Sequence, residues 1–357
     1  MTKRASGRLT AGILGLTGLA ALAAFALAQA NPSLNDILEK NIQASGGKEK
    51  LAQILNFSFK SGSTRYYATP SGEMKLTTGK EPVVTETVLV RGGKVLRNYF
   101  NETTELTGIR KAMNEVLAKL YGGLFSLIRF QGQLAYQGLN AYGPEKLHHL
   151  STKADPLQVD FFLRPDDFRI KRLVFKGQTP EGDKYEVNYD FAPFEDVEGV
   201  TVPLSWFSSQ VGTRGTLVEI SEVKINQILD KDFFAKAEVN VGTTEAGPGR
   251  LKGNVLDTNA SPNGFTAATN WMKKDIDKAG LKTGDKLSLI VEDTEIELVF
   301  YAAGSQLPPQ PELAKGARVL APQGRGGEMF AIQFFGGDGG GFAAKLKVLA
   351  PIEITRK

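Results

Sequence analysis

The sequence predicts an α+β chain: an antiparallel sheet with an amphipathic helix laid against it, then a smaller mainly-β domain. Three observations carry this. Runs of period two recur from Phe57 to Ile225, the sign of strands with one wet and one apolar face. Residues 105–130 interrupt them with a helical stripe. Residues 240–253, rich in Gly, Thr and Pro and poor in apolar side chains, then separate a further set of strands. At roughly 100–200 residues per domain, 357 residues suffice for two cores.

The N-terminus reads as an export signal over residues 1–30. Lys3, Arg4 and Arg8 precede an apolar stretch from Ala11 to Leu27, and Ala28-Gln29-Ala30 supplies a small-x-small cleavage site. The competing reading is a retained anchor, because Leu9 to Ala28 is long enough to span a bilayer. Three of the 43 basic residues fall there with no acid, leaving 40 against 39 acidic residues, so net charge gives a nucleic-acid surface no support. With no cysteine there is no disulfide, thiolate nucleophile, zinc–thiolate site or iron–sulfur cluster, and no lipid-modified cysteine.

In the mature chain Ser33 and Asp36 form a capping box for a helix through Leu34, Ile37, Leu38 and Ile42, which Gly46-Gly47 ends. A short helix is expected over Lys48 to Ile54. Strands follow at Phe57 to Tyr67, Val83 to Val90 and Val95 to Phe100. The helical stripe is Ile109, Met113, Val116, Leu117, Leu120, Leu124 and Ile128. Gly122-Gly123 interrupts it, predicting a kink or two helices. Further strands are expected at Leu157 to Leu163, Ile170 to Phe175, Lys184 to Phe191, Val202 to Phe207 and Thr216 to Ile225. Domain one thus covers 31–239, with 240–253 as linker. Domain two, 254–357, has a helix near Trp271 to Ala279, a turn at Lys282-Thr283-Gly284-Asp285, and strands at Leu287 to Val291 and Ile296 to Tyr301. Gly336 to Gly341 reads as a loop.

Catalytic motifs are sparse. His148 and His149, the two histidines, are neighbours whose side chains diverge in either helix or strand, so a solvated pair is expected. No G-x-S-x-G elbow occurs. Gly79-Lys80 lacks the hydroxyl residue of a phosphate loop, and Gly247, Gly249 and Gly253 miss the dinucleotide spacing by one residue. Asp257, Asn259 and Ser261 begin like a calcium loop, but Pro262 and Ala268 break it. The acidic pairs Asp166-Asp167, Glu195-Asp196 and Glu292-Asp293 read as surface charge. What remains is apolar surface, with aromatic residues at Phe57, Phe59, Tyr66, Tyr67, Phe125, Phe130, Phe161 and Phe162. These either fill a core or line a hollow kept open for an apolar ligand.

Leu34 to about Phe234 resembles the LolA-like outer-membrane lipoprotein-sorting (lipoprotein carrier) superfamily. The likeness rests on Ile37-Leu38-Glu39-Lys40 through Ala44-Ser45-Gly46-Gly47 with Leu51 and Ile54, on the helical insert Ile109 to Phe130, and on Val218 to Asn226 followed by Leu229 to Phe234. The resemblance implies a half-open antiparallel β-barrel with a helical lid. It further implies a non-catalytic periplasmic carrier of lipoprotein or lipid acyl chains, with no cofactor, no metal and no nucleic acid. A membrane-bound donor or acceptor protein would be its partner. An acyl chain costs about 0.8 kcal/mol per exposed CH₂ in water, which is why it needs a carrier. The binding residues so implied are Phe57, Phe59, Val88, Leu117, Leu120, Leu124, Phe125, Ile128, Phe161, Tyr185, Val187 and Tyr189. Gly122 and Gly123 would be a lid hinge whose replacement by Ala slows loading. A carrier so built is expected to keep its hollow vacant; a hollow packed solid by the chain's own side chains, with no room for a hydrocarbon, would remove the transport reading and leave only an inert scaffold on the same fold. A third reading is an exported hydrolase with an inter-domain site. The second domain, absent from the simple carrier, resembles the C-terminal barrel of S-adenosylmethionine hydroxide adenosyltransferases at Gly253-Asn254-Val255, Thr269-Asn270 and Leu281 to Asp285. That family's catalytic half is missing, so no adenosyl chemistry follows.

Overall fold

The structure, a computed structural model, describes residues 32–261, 264–291, 294–307, 316–323, 328–336 and 345–357. The expected export signal, Glu292-Asp293 and all of the glycine tract but Gly336 lie outside the described residues. No described helix is long and apolar enough to cross a membrane.

Helix α1 (Leu34–Ala44) starts on the expected capping box: the Asp36 N–H donates to Ser33 Oγ (3.2 Å) and the Ser33 N–H to Asp36 Oδ2 (3.0 Å). Gly46 follows with φ 123°, and a side chain there would meet the Gly199 carbonyl at 2.7 Å. Short α2 (Lys48–Ala52) leads into the first sheet. The run expected as one strand from Phe57 to Tyr67 is a hairpin. Gly62, at φ 56°, turns β1 (Phe57–Ser61) into β2 (Thr64–Ala68). An unforeseen β3 (Met74–Thr78), then β4 (Glu86–Arg91), β5 (Lys94–Tyr99) and β6 (Glu102–Glu105), continue the meander.

The helical stripe is broken rather than kinked. Helix α3 (Gly108–Gly122) stops, Leu124 and Phe125 reverse the chain at φ 52° and 60°, and a 3-10 turn occupies Leu127–Phe130. Next come β7 (Ala135–Tyr142), β8 (Glu145–Ala154), β9 (Leu157–Leu163), β10 (Ile170–Gln178) and β11 (Lys184–Phe191). A small β12 (Phe194–Val197) and β13 (Val200–Pro203) hairpin precedes β14 (Ser205–Gln210), β15 (Thr216–Glu219) and β16 (Ser221–Ile225).

Apart from the separate β12–β13 pair, these strands form two antiparallel sheets, ordered β16-β1-β2-β3-β4-β5-β6 and β15-β14-β11-β10-β9-β8-β7. Only Ile220 separates β15 from β16, and its N–H donates to the Leu204 carbonyl (2.7 Å). The two sheets therefore join along one bent strand into a single curved wall. The far edges, β6 and β7, do not pair with each other, and the chain between them is α3 with its turn. The first unit is thus a half-open antiparallel barrel whose mouth is crossed by a helical lid.

The second unit contains β17 (Glu245–Gly247), β18 (Arg250–Ser261), β19 (Gly264–Met272), α4 (Lys273–Ala279), β20 (Lys286–Val291), β21 (Thr294–Phe300), β22 (Arg318–Gln323), β23 (Met329–Phe335) and β24 (Pro351–Arg356). Strand β24 pairs with both β18 and β20, which closes a barrel around Trp271, Phe300 and Phe330. Closure leaves few free edges, a sound solution for a small β unit.

The stretch read as a linker is partly strand, since β17 and the start of β18 lie within it. It is also anchored. Val84 and Asn240 exchange two main-chain hydrogen bonds (3.2 and 2.8 Å). Val83 and Phe100 from one unit bury with Val241 and Leu256, and Lys80 Nζ pairs with Asp257 Oδ1 at 2.9 Å. Upstream, residues 229–240 run as a strap over the outer face of the first sheet. There the Phe233, Ala237 and Glu238 carbonyls accept from Lys75, Asn98 and Thr87.

Candidate functional site

The concave face of the first unit is the largest apolar feature of the fold. Alternation along β1 turns Phe57 and Phe59 inward, and from the opposite sheet Phe161, Tyr185, Tyr189, Phe191 and Trp206 face them. Of the twelve residues that the family resemblance implicates, Phe57, Phe59, Val88, Leu117, Leu120, Leu124, Phe125 and Phe161 are buried in one cluster. Ile128, Tyr185 and Tyr189 pack on its margin. Val187 is buried on β11 but does not join it.

The hollow is not open. Tyr121 and Phe125 of the lid project between the sheets and occupy it. Phe125 has ring centroids 6.2 Å from Phe57, 5.3 Å from Tyr121, 5.7 Å from Phe191 and 6.4 Å from Trp206. Tyr121 meets Phe59 edge-on at 5.2 Å, and on the other side Phe130 meets Phe161 at 5.0 Å. The expected vacancy is therefore corrected: the chain fills the space with its own helix, because a stripe of large side chains beside a curved apolar wall gains by excluding water. Burial also pushes the Tyr121 phenol well above its ordinary value and raises Tyr66, Tyr185 and Tyr189.

The manner of attachment is distinctive. Among the described residues, two hydrogen bonds tie residues 108–130 to the surrounding wall and first helix. The Leu127 N–H donates to Asn41 Oδ1 (2.8 Å), and Tyr185 Oη donates to Met113 Sδ (3.5 Å). Asn41 is fully buried and its amide donates to the Phe168 carbonyl (2.8 Å), so it acts as a latch. Apart from an exposed hydrogen bond from Lys119 Nζ to Gln133 Oε1 (3.0 Å), on the segment that leads into β7, the lid's packing in the core is apolar. Gly122 and Gly123 have negative φ, so neither uses a glycine's conformational freedom. Gly122 instead lets the helix end approach the β2–β3 turn, where a Cβ would stand 2.2 Å from the Thr69 carbonyl oxygen. Tyr121 and Trp206 were missed as site residues, although Tyr121 lies four positions after Leu117 on the same stripe and Trp206 inside an expected strand.

The histidines are not solvated. They do diverge across β8, but each meets a partner. His148 is buried, stacks on Phe168 (5.3 Å) and has Nδ1 3.0 Å from Tyr136 Oη. His149 stacks on Phe162 (4.6 Å), with Nε2 3.0 Å from Asp160 Oδ1 and Nδ1 3.0 Å from Asn140 Nδ2. Asp160, nearly buried, also accepts from Lys176 (2.8 Å). Burial raises the Asp160 carboxyl, but the hydrogen bonds from Lys176, His149 and Gln158 outweigh it and hold the group below its ordinary value. With both ring nitrogens of His149 engaged, the Asp–His pair resembles a structural clasp more than a catalytic dyad.

Burial, aided by Lys40, lowers the His148 pKa. The folded state thus prefers neutral imidazole, and its stability falls as pH drops through the ordinary histidine value of about 6.5. The melting temperature of the first unit is expected to decline between about pH 7 and pH 5.5, and His148→Phe should flatten that decline. A profile identical to wild type would assign the slope to other groups.

No protein-family model and no curated protein matches the chain. Solved structures similar to it include an uncharacterized conserved protein from Thermotoga maritima, at 17% identity and a TM-score of 0.27. That match covers 34% of this chain, and this chain spans only 42% of that one. A LolA superfamily protein from Nitrosomonas europaea is 15% identical over 57% of this chain and 97% of its own, with a TM-score of 0.33. A DUF1329 family protein from Desulfovibrio piger is 10% identical over 56% and 96%, with a TM-score of 0.36.

Proposed function

We propose that the first unit is a non-catalytic periplasmic binding protein that shields acyl chains of lipids or lipoproteins, in a hollow that its own lid fills between loads. The observation that carries this reading is the lid's attachment: one latch, one weak sulfur contact, and otherwise exchangeable apolar surface. An acyl chain entering as Tyr121 and Phe125 leave replaces burial with burial, so exchange need not cost the full hydrophobic term of either. The filled hollow also favours a second reading, a sensor or scaffold with a permanent core.

Two measurements separate them. Native mass spectrometry of protein purified from its own cells should show added acyl-chain mass. Trp206 sits in the hollow while Trp271, the other tryptophan, is in the second barrel. In a Trp271→Phe background, a brominated fatty acid should therefore quench Trp206 emission. Absence of both signals would leave the scaffold.

A further inference from the structure

A second concavity lies on the outer face of the first sheet, away from the hollow. The alternation that turns Phe59 and Tyr66 inward turns Lys60, Arg65, Tyr67 and Lys75 outward. Register sets Lys60 opposite Arg65, and Tyr67 opposite Lys75. The strap and the loop 79–84 border this face as an open pocket of about 770 Å³.

Lys75 is the anomaly. Only 8% of it is exposed, and its nearest acidic influence, Glu238 of the strap, acts on it through space without forming an ion pair among the described residues. Its Nζ donates to the Phe233 carbonyl (3.0 Å) and stands 4.5 Å from that ring's centroid. An ammonium carries three donors, and a desolvated cation with no carboxylate in bonding contact is costly. Burial accordingly holds Lys75 below the ordinary lysine value. Nearby, Arg65 bonds Glu222 (2.5 Å) and Lys60 bonds the same carboxylate (3.3 Å). Glu222 is an exposed residue held at φ 50°. Thr77 contributes a hydroxyl to the lining, and Tyr67 and Phe233 meet edge-on at 4.7 Å as an apolar wall.

We propose that this pocket binds the phosphate group of an organic phosphate. Lys75 is its central cation, Arg65 and Lys60 exchange Glu222 for it, and the Tyr67–Phe233 edge receives the organic part. The lining carries Lys60, Arg65, Lys75 and Lys80 against the carboxylates of Glu81 and Glu238, and a phosphate can accept from several of these cations and from the Thr77 hydroxyl at once. A phospholipid headgroup and a soluble phosphate ester share this chemistry.

The test is isothermal titration of the full-length chain with inorganic phosphate and with glycerol 3-phosphate at low salt. Saturable binding is expected, weakened about tenfold or more by Lys75→Gln and retained by Lys75→Arg. Should Lys75→Gln disturb the strap, as circular dichroism and melting would reveal, Thr77→Val leaves the strap untouched and should still weaken binding. If the wild type binds neither probe, or the variants bind as well as wild type, Lys75 merely fastens the strap and the proposal fails. Flotation with phosphatidylglycerol vesicles that depends on Lys75 assigns the lipid source. Glycerol 3-phosphate binding without flotation assigns the soluble one.

Discussion

Replacing Phe125 by Ala is expected to destabilise the first unit by about 3–5 kcal/mol, the usual cost of emptying a buried phenyl site that cannot collapse. Collapse is opposed here because the ring is held from several directions at once, by Phe57 on one sheet, Phe191 and Trp206 on the other, and Tyr121 beside it. Those walls belong to a hydrogen-bonded sheet and cannot follow the missing atoms. Since the second barrel has its own core, unfolding should be followed by Trp206 emission with Trp271 replaced by Phe, so that one transition is read. The two functional readings then diverge. In a carrier, an added fatty acid occupies the vacated space and returns stability in proportion to RT ln(1 + [L]/Kd), more for the variant than for wild type. In a scaffold, the loss stands whatever lipid is added.

How much of this could be read beforehand varied with the kind of signal. Capping at Ser33 and Asp36, the double glycine after α1 and the alternation at Tyr185, Val187 and Tyr189 are local patterns, and each element they predict is present. Strand β3 and strands β7 and β8 escaped because their faces are mixed: β7 alternates only between exposed and half-buried, and β8 buries His148 and Ser151 among its apolar residues. The hairpin inside Phe57 to Tyr67 turned on Gly62, one residue whose φ is invisible until the fold is known. The same holds for the histidines, whose solvation depends on Phe168, Phe162 and Asp160 brought from other strands or loops. Most of the residues implicated in binding do converge, but whether the hollow was filled turned on where the chain after Gly122 reverses. That reversal is a tertiary event, with Leu124 and Phe125 taking backbone angles that their residue types rarely choose.

The glycines before that reversal provide the second large effect. If Gly122 and Gly123 work as a flexible hinge, replacing them with Ala stiffens the lid and slows loading. The geometry argues for the opposite sign at Gly122. A methyl there meets the Thr69 carbonyl oxygen at 2.2 Å. That oxygen cannot step aside, because it belongs to a turn closed by the Gly72 N–H donating to it (3.0 Å) and by the Thr69 N–H donating to Glu73 (2.9 Å). The helix must therefore withdraw from the β2–β3 turn. Ala recovers up to about 1 kcal/mol of helix propensity, but overpacking of this kind costs about 1–3 kcal/mol, so a lower melting temperature is expected for Gly122→Ala. Gly123, at φ −92°, would place its methyl 2.9 Å from the Ser126 carbonyl within its own turn, which can adjust, and its replacement should be much milder. Because Tyr121 and Phe125 flank the displaced point, a withdrawn helix loosens the plug, and stopped-flow quenching of Trp206 by brominated fatty acid should be faster in Gly122→Ala than in wild type. Slower quenching, with an unchanged melting temperature, would return the pair to the role of a hinge.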